Sequence, residues 1–382
     1  MKNTGAGVAI TPESAMRVPA VNAAVSLIST TLGTLPPKLY RRVDSHKEIA
    51  DDHPAHGLIH RRANSWTSAG KLRAQLTLDA LLHGNGYAVA NRTSEGRVAE
   101  FFHVPPTAMS VEIDAYGEPT YKLSQTGGVR RLSYRDVLHI PALTSFDGIA
   151  GRAPITLARE AIALALVMEE HGSKLFKDGA RPSTVISYPA EASKADGQDK
   201  TGNTARRKLI EAARAGMAGV DNSGKLAIIF DGATVTPFAF SSVDAQFLEL
   251  RRFAIDEIAR AFRVPPTMLF ELGRGTWGNT EQMGAQFVSY TLLPWIEAWT
   301  DAYSRVLFDE NDDDLSIEFV VDDLLRADTA TRFEAYSKAI ASRVLNPNEV
   351  RALENRPPYE GGEHFVNPNT TTAATVPAKE AA

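Results

Sequence analysis

The chain has no cysteine. That absence removes disulfide scaffolds, thiolate zinc sites, iron–sulfur ligation and a cysteine nucleophile together. It suits a reducing compartment and leaves an exported particle open. Runs of about eighteen uncharged apolar residues are also missing, and Met1–Pro12 holds one lysine and no apolar stretch of signal-peptide length. A soluble, non-secreted protein without a membrane partner is the expectation. Basic excess is lacking too: 41 Lys+Arg face 46 Asp+Glu across 382 residues, a net charge of −5. Such a balance argues against tight or sequence-specific grip on nucleic acid, which needs a phosphate-neutralising surface. No Walker A string, G-x-S-x-G elbow or H-x-E…C-x-x-C set occurs. The carboxylate pairs Glu169-Glu170 and Asp256-Glu257 sit in charge-rich helical stretches. No catalytic residue, cofactor or metal site follows from these residues, and a non-enzymatic protein is expected.

What is present is ample apolar material, 43% hydrophobic residues with 8% aromatic, enough for a real core in two or three domains. Val21, Ala24, Val25, Ile28 and Leu32 recur at helical spacing from Pro19 until Gly33 and Pro36-Pro37 interrupt. Lys38–Val43 reads as a strand, and Ser68–Leu82 as a second helix that stops at His83-Gly84-Asn85-Gly86. The period then changes to two. Strands are expected at Tyr87–Asn91, Val98–Val104, Met109–Ile113, Thr120–Leu123 and Val137–Ile140, separated by Gly- and Pro-containing turns. Residues 1–150 are thus predicted to be an α+β part.

From Ile155 to Asp178 only Gly172 breaks an Ala-, Leu- and Glu-rich stretch, which makes a helix of roughly 36 Å. Ser183–Pro237 reads as a small βαββ-like unit, with strands at Thr184–Tyr188, Leu226–Phe230 and Thr234–Phe240 and a helix at Thr204–Ala218. A second long helix spans Val243–Phe262 and is stopped by Pro265-Pro266. Two long helices flanking a compact insert suggest a stalk carrying a small domain at its tip. Thr267–Asn279 is a glycine-containing loop, and Thr280–Leu307 a helix that must bend near Pro294. A strand at Ser316–Val321, helices at Ala327–Val344 and Pro347–Glu354, and a Thr/Ala/Pro-rich disordered tail complete the layout.

Gly273-Arg274-Gly275-Thr276-Trp277-Gly278 matches G-x-G-x-x-G. That fingerprint works as a strand-to-helix turn with an acid about 20 residues on, whereas here it follows a long helix, and Glu297 lies inside another helix. A loop without nucleotide is the better reading; a nucleotide-binding enzyme using Gly273–Gly278 is the competing class. His53, His56 and His60 have metal-like spacing, but Pro54 and Gly57 weaken a helix there and no carboxylate completes the set. The run from Asp309 to Asp314 lacks the glycine and final carboxylate of a calcium loop and reads as a solvated turn. Trp295, Trp299 and Tyr303 share one helix face, read as a packing stripe. Charge is uneven: Glu297–Asp328 carries −9 and the rest +4, while Arg206, Arg207, Lys208 and Arg214 make the insert's helix basic.

Several strings, in order, resemble the portal proteins of long-tailed bacteriophages. They are Val21–Leu39, Leu81–Ala88, Asp136–Ile140, Phe176–Pro182, Asp244–Pro266, Asn279–Glu281, Thr291–Trp295, and Asn348–Arg351 with Gly361-Gly362. The resemblance covers about residues 15–366. It implies a ring, usually of twelve copies, at one capsid vertex of the virion, assembled in the host cytoplasm. Double-stranded DNA would pass through it without sequence readout, during packaging and later ejection. Implied partners are the other copies, the major capsid protein, the terminase large subunit and the head-to-tail adaptor; an adaptor or scaffold protein itself would usually be much shorter. The implied parts are an α+β wing (1–150), a stem helix (151–182), a clip (183–240), a second stem helix (241–266), a tunnel loop with bent helix and return to the wing (267–325), helical crown (326–366) and tail (367–382). Gly273, Arg274, Gly275, Thr276, Trp277, Gly278 and Asn279 would face the channel, and Arg206, Arg207, Lys208 and Arg214 would face terminase or adaptor. One departure stands out: Arg263 occupies a place where the family commonly has glycine, which puts a left-handed helix cap in question.

Overall fold

The computed structural model describes residues 4–44, 46–177, 184–187, 234–237, 242–271, 280–309, 312–321, 329–354 and 356–365. By contacts it divides into two units, residues 1–277 with 289–320, and residues 278–288 with 321–382. Each is treated separately.

The first unit opens with α1 (Pro12–Met16) and α2 (Pro19–Thr34), the latter burying Val21, Val25, Ile28 and Leu32 as the periodicity predicts. Helix α4 (Ala69–His83) packs on α2; its N-cap Ser68 accepts from the Lys71 N–H, and Gly84 ends it at φ +95°. Arg73 on α4 is almost fully buried where α2 terminates. Its guanidinium donates to the carbonyls of Leu32, Gly33, Leu35 and Ile59. A cation placed on carbonyls orphaned at a helix C-terminus meets their partial negative charge and their need for donors at once.

The same unit holds three antiparallel sheets. In one, β1 (Pro37–Val43) lies between β2 (His46–Ile49) and the strand Leu315–Phe319. A second joins β4 (Val98–Val104), β3 (Asn85–Arg92) and β8 (Val137–Pro141), and a third β5 (Met109–Ile113), β6 (Pro119–Gln125) and β7 (Gly128–Ser133). Strand β3 starts directly after α4 because the chain reverses through Gly84-Asn85-Gly86. A Cβ at Gly86 would lie 2.1 Å from the Leu76 carbonyl oxygen, so only glycine lets the strand fold back so closely.

Three short elements depart from the predictions. Strands β2 and β7 are mostly exposed and carry no alternating apolar signal. Pro54 does not weaken a helix: it starts α3 (Pro54–His60) at a first-turn position, where its missing N–H costs nothing. His53 caps that helix, accepting from the Ala55 N–H, and the His56 and His60 rings stack 5.2 Å apart. Burial and then the neighbouring His60 lower the His56 pKa. Among the described residues no group of metal-ligating side chains converges.

The predicted bend before Pro294 is a π-helical turn, Phe287–Leu292, between Thr280–Gln286 and Leu293–Leu307. Proline cannot donate to the preceding turn, and the wider spacing absorbs the missing bond. In the Leu293–Leu307 helix, Trp295, Trp299 and Tyr303 are buried as a stripe, and the Trp299 indole donates to Thr77 Oγ1 at 3.1 Å. The second unit contains helices Thr329–Ala341 and Pro347–Leu353. Asn346 and Glu349 form a capping box for the shorter one, and Arg332 pairs with Glu354 at 2.9 Å.

Candidate functional site

The predicted channel residues Gly273, Arg274, Gly275, Thr276, Trp277, Gly278 and Asn279 lie outside the described residues, as do the predicted clip residues Arg206, Arg207, Lys208 and Arg214. What is described is the long helix pair, between which the second set falls in sequence, and the layer it joins.

The first helix is broken once. A short turn, α5 (Pro154–Leu157), is followed by α6 (Arg159–Lys177), the break falling at Ala158. Its partner, α7 (Ser242–Phe262), packs along it. Phe247 lies against His171 and Gly172 at one end, while Ala165, Met168 and Glu169 share a cleft with Arg251, Ala254, Ile255 and Ile258 further along. Numbers rise on one helix as they fall on the other, so the two run in opposite directions. The chain therefore leaves the α+β layer on α6 and returns to it on α7. Between them the only described residues are Thr184–Ser187 and Thr234–Pro237, which pair as antiparallel strands in the predicted insert.

Outside that seam, α7 and its surroundings carry apolar side chains with no cover. Leu248 is 61% exposed, Leu250 51% and Phe253 48%; on α6, Leu164 is 41% exposed. Leu250 and Phe253, three positions apart, flank the buried line of Ala254 and Ile258 on its solvent side. Covering the exposed half of each such side chain would add about half of the roughly 1.5–3 kcal/mol that full burial gives.

At its far end α7 stops in a Schellman arrangement: the Arg263 N–H reaches the Arg260 carbonyl, and the Val264 N–H the Ala259 carbonyl. Arg263 takes φ +57°, so the left-handed cap is kept although the residue is not glycine. Thr291 holds that cap by donating its hydroxyl to the Arg263 carbonyl. Beyond it Pro266–Leu269 forms a 3₁₀ turn ending at Phe270, also left-handed and 85% exposed, so the loop predicted at Thr267–Asn279 opens with a helical turn, three residues before the predicted channel residues.

The foundation is a buried polar network. His139 on β8 lies between Tyr121, whose hydroxyl is 3.0 Å from Nδ1, and Asn85, whose Oδ1 is 2.8 Å from Nε2. Asn85 in turn accepts from the Gly151 N–H at 2.8 Å and donates to its carbonyl. The neutral imidazole with hydrogen on Nε2 satisfies every partner, with Tyr121 donating to Nδ1. Burial, with Arg305 nearby, pushes the His139 pKa down to about 3, and burial raises Tyr121 to about 12. The sheet is thereby bonded to Gly151, three residues before α5 begins.

A solved portal protein of the HK97 phage family from Corynebacterium diphtheriae shares the fold, with a TM-score of 0.54 at 16% identity over 81% of this chain and 95% of that one. The chain matches the family model of phage portal proteins over residues 19–355, and it belongs to that family. It is 32% identical to the probable portal protein of Streptomyces phage phiC31 over 373 residues, 93% of this chain and 78% of that protein. It is 28% identical to the portal protein of Enterobacteria phage HK97, covering 93% and 82%. A chain in the neck of a native gene transfer agent particle, computed with C12 symmetry, has a TM-score of 0.63 at 25% identity over 93% and 97%.

Proposed function

We propose that twelve copies of this chain form a ring at one vertex of a phage or phage-like particle, through which double-stranded DNA is driven in and later released. The carrying observation is family membership over residues 19–355, and the C12 symmetry of the similar gene transfer agent neck supports the copy number. The uncovered leucines and Phe253 on the helix pair fit the same reading, because a ring supplies each helix with a neighbour. In this assignment residues 1–150 are the wing, 151–182 and 241–266 the stem, 183–240 the clip, 267–325 the tunnel loop with its bent helix and return to the wing, and 326–366 the crown.

Each copy repeats its side chains at one height, so Arg274 becomes a ring of cations and Trp277 a ring of bulky contacts on phosphates passing without sequence readout. The sequence holds no phosphate-binding loop, so the ATPase must be a partner, the terminase, docked on Arg206, Arg207, Lys208 and Arg214 before the adaptor takes its place. The major capsid protein surrounds the ring, and the chain itself carries no reaction.

Negative-stain microscopy of the purified chain should show rings with a central channel. Compact monomers whose melting temperature rises with added nucleotide would overturn the proposal in favour of a nucleotide-binding enzyme. Within rings, Arg274→Ala or Trp277→Ala should leave assembly intact and lower packaged DNA; wild-type DNA yield in both removes the loop assignment. Glu at Arg206, Arg207 and Lys208 should weaken terminase capture in a pull-down, and unchanged capture removes the clip assignment.

A further inference from the structure

A groove of about 820 Å³ opens in the α+β layer, far in sequence from stem, clip and channel loop. One wall is the end of α3 and the loop after it, with Arg61, Arg62, Asn64 and Ser65; the other is the hairpin between β3 and β4, with Arg97 and Glu100. Both walls are tied by hydrogen bonds. Asn64 is buried, donates to the Phe101 carbonyl at 2.8 Å, and accepts on one oxygen from the N–H groups of Trp66 and Thr67. Phe101 donates back to the Ala63 carbonyl at 2.8 Å, and Thr93 closes the hairpin on the Arg97 carbonyl. A bulge re-aims the hairpin strand where the register shifts opposite Asn91 and Arg92.

This framework holds Trp66 out of the protein. The indole is 74% exposed, leans on Phe102 at a ring distance of 5.6 Å, and stands next to the groove wall at Ser65. Arg61, Arg62 and Arg97 make no side-chain ion pair or hydrogen bond among the described residues. A fixed aromatic beside unpaired guanidinium groups has the composition of an interface hot spot, and its rigidity removes most of the ordering cost of binding.

We infer that this groove is a docking site for a carboxylate-bearing segment of a partner protein, with Trp66 as the apolar anchor. Charge complementarity carries the choice: each free guanidinium can receive a carboxylate through two parallel hydrogen bonds. Glu95 and Glu100 in the same groove disfavour the denser, uninterrupted charge of a nucleic acid backbone, whereas a peptide can space its acids to avoid them.

The test uses the full chain and a fluorescein-labelled peptide of glutamates punctuated by leucines, read by anisotropy. Saturable binding is expected, together with no binding of the same peptide built with lysines. Trp66→Ala, and separately Arg61→Glu with Arg97→Glu, should each weaken binding roughly tenfold or more, while Trp66→Phe retains most of it. Because all three side chains are exposed, circular dichroism should report unchanged folding. The inference is overturned by absence of binding, by equal binding to the variants, or by full competition from a short DNA duplex. Binding to dissociated chains but not to assembled rings overturns it as well, and assigns the groove to a second copy.

Discussion

The α+β layer and the helix pair that leaves it solve the problem of burial in opposite ways. In the layer, the buried polar groups have partners inside the same chain: Arg73 has four carbonyls, His139 has Tyr121 and Asn85, and Thr77 has the Trp299 indole. On the helices, apolar groups as large as Leu248 and Phe253 have water. The layer therefore holds its buried polar groups by its own contacts, although Trp66 stands exposed on it, and the helix pair leaves apolar side chains for something else to cover. Substitutions in the layer should move folding stability and those on the stem should move assembly.

The largest effect is expected at Arg73. Arg73→Leu leaves the carbonyls at the end of α2 buried without a donor, which should cost about 3–5 kcal/mol. Urea unfolding of the chain kept dissociated would measure it. A loss below about 1 kcal/mol would show that water replaces the guanidinium and that the layer is less closed than its burial indicates.

Acid should open the same layer through His139. Its folded-state pKa of about 3 lies below the ordinary 6.5. Below pH 6.5 the unfolded chain takes up a proton that the folded chain refuses, so stability falls as pH drops from about 6.5 toward 3, by about 1.4 kcal/mol per unit. Between pH 6.5 and 4.5 the loss should approach about 2–3 kcal/mol. His139→Gln, neutral throughout, should be less stable at pH 7 yet flatter across that window. Parallel pH curves for the two proteins would remove His139 as the cause.

The same division governs what the sequence reveals. Apolar stripes mark α2, α4 and the Trp295–Trp299–Tyr303 face, because those helices bury one side within the chain and must repeat every third or fourth residue. Strands His46–Ile49 and Gly128–Ser133 are edge strands whose side chains, Leu132 apart, are exposed, so backbone pairing does most to define them and no alternating pattern advertises it. Arg263 in a left-handed cap shows that a tertiary bond, here from Thr291, can enforce a conformation that local propensity disfavours. Ordered strings were enough to reveal the family. The groove beside Trp66 left no such trace, since its arginines come from two loops more than thirty residues apart and acquire a common face only through the Ala63–Phe101 pairing.

The stem supplies the smallest stability effect and the sharpest division of roles. Leu250→Ser and Phe253→Ser remove apolar groups that are already about half exposed, so in the dissociated chain each should change unfolding by roughly 0.5 kcal/mol or less. Phe253 is the exception: it also lies under the Arg260 guanidinium at 5.7 Å, an exposed cation–π contact worth about 0.5–1 kcal/mol, which raises its loss to about 1 kcal/mol. In a ring the same loss recurs at every subunit boundary, and assembly multiplies it by the number of boundaries. Native mass spectrometry of the double variant should therefore show dissociated chains at concentrations where the wild type is fully assembled, with the melting temperature of the α+β layer unmoved. If rings persist, these faces meet something other than the neighbouring stem; if melting falls as far as in Arg73→Leu, the helix pair belongs to the same cooperative core as the layer.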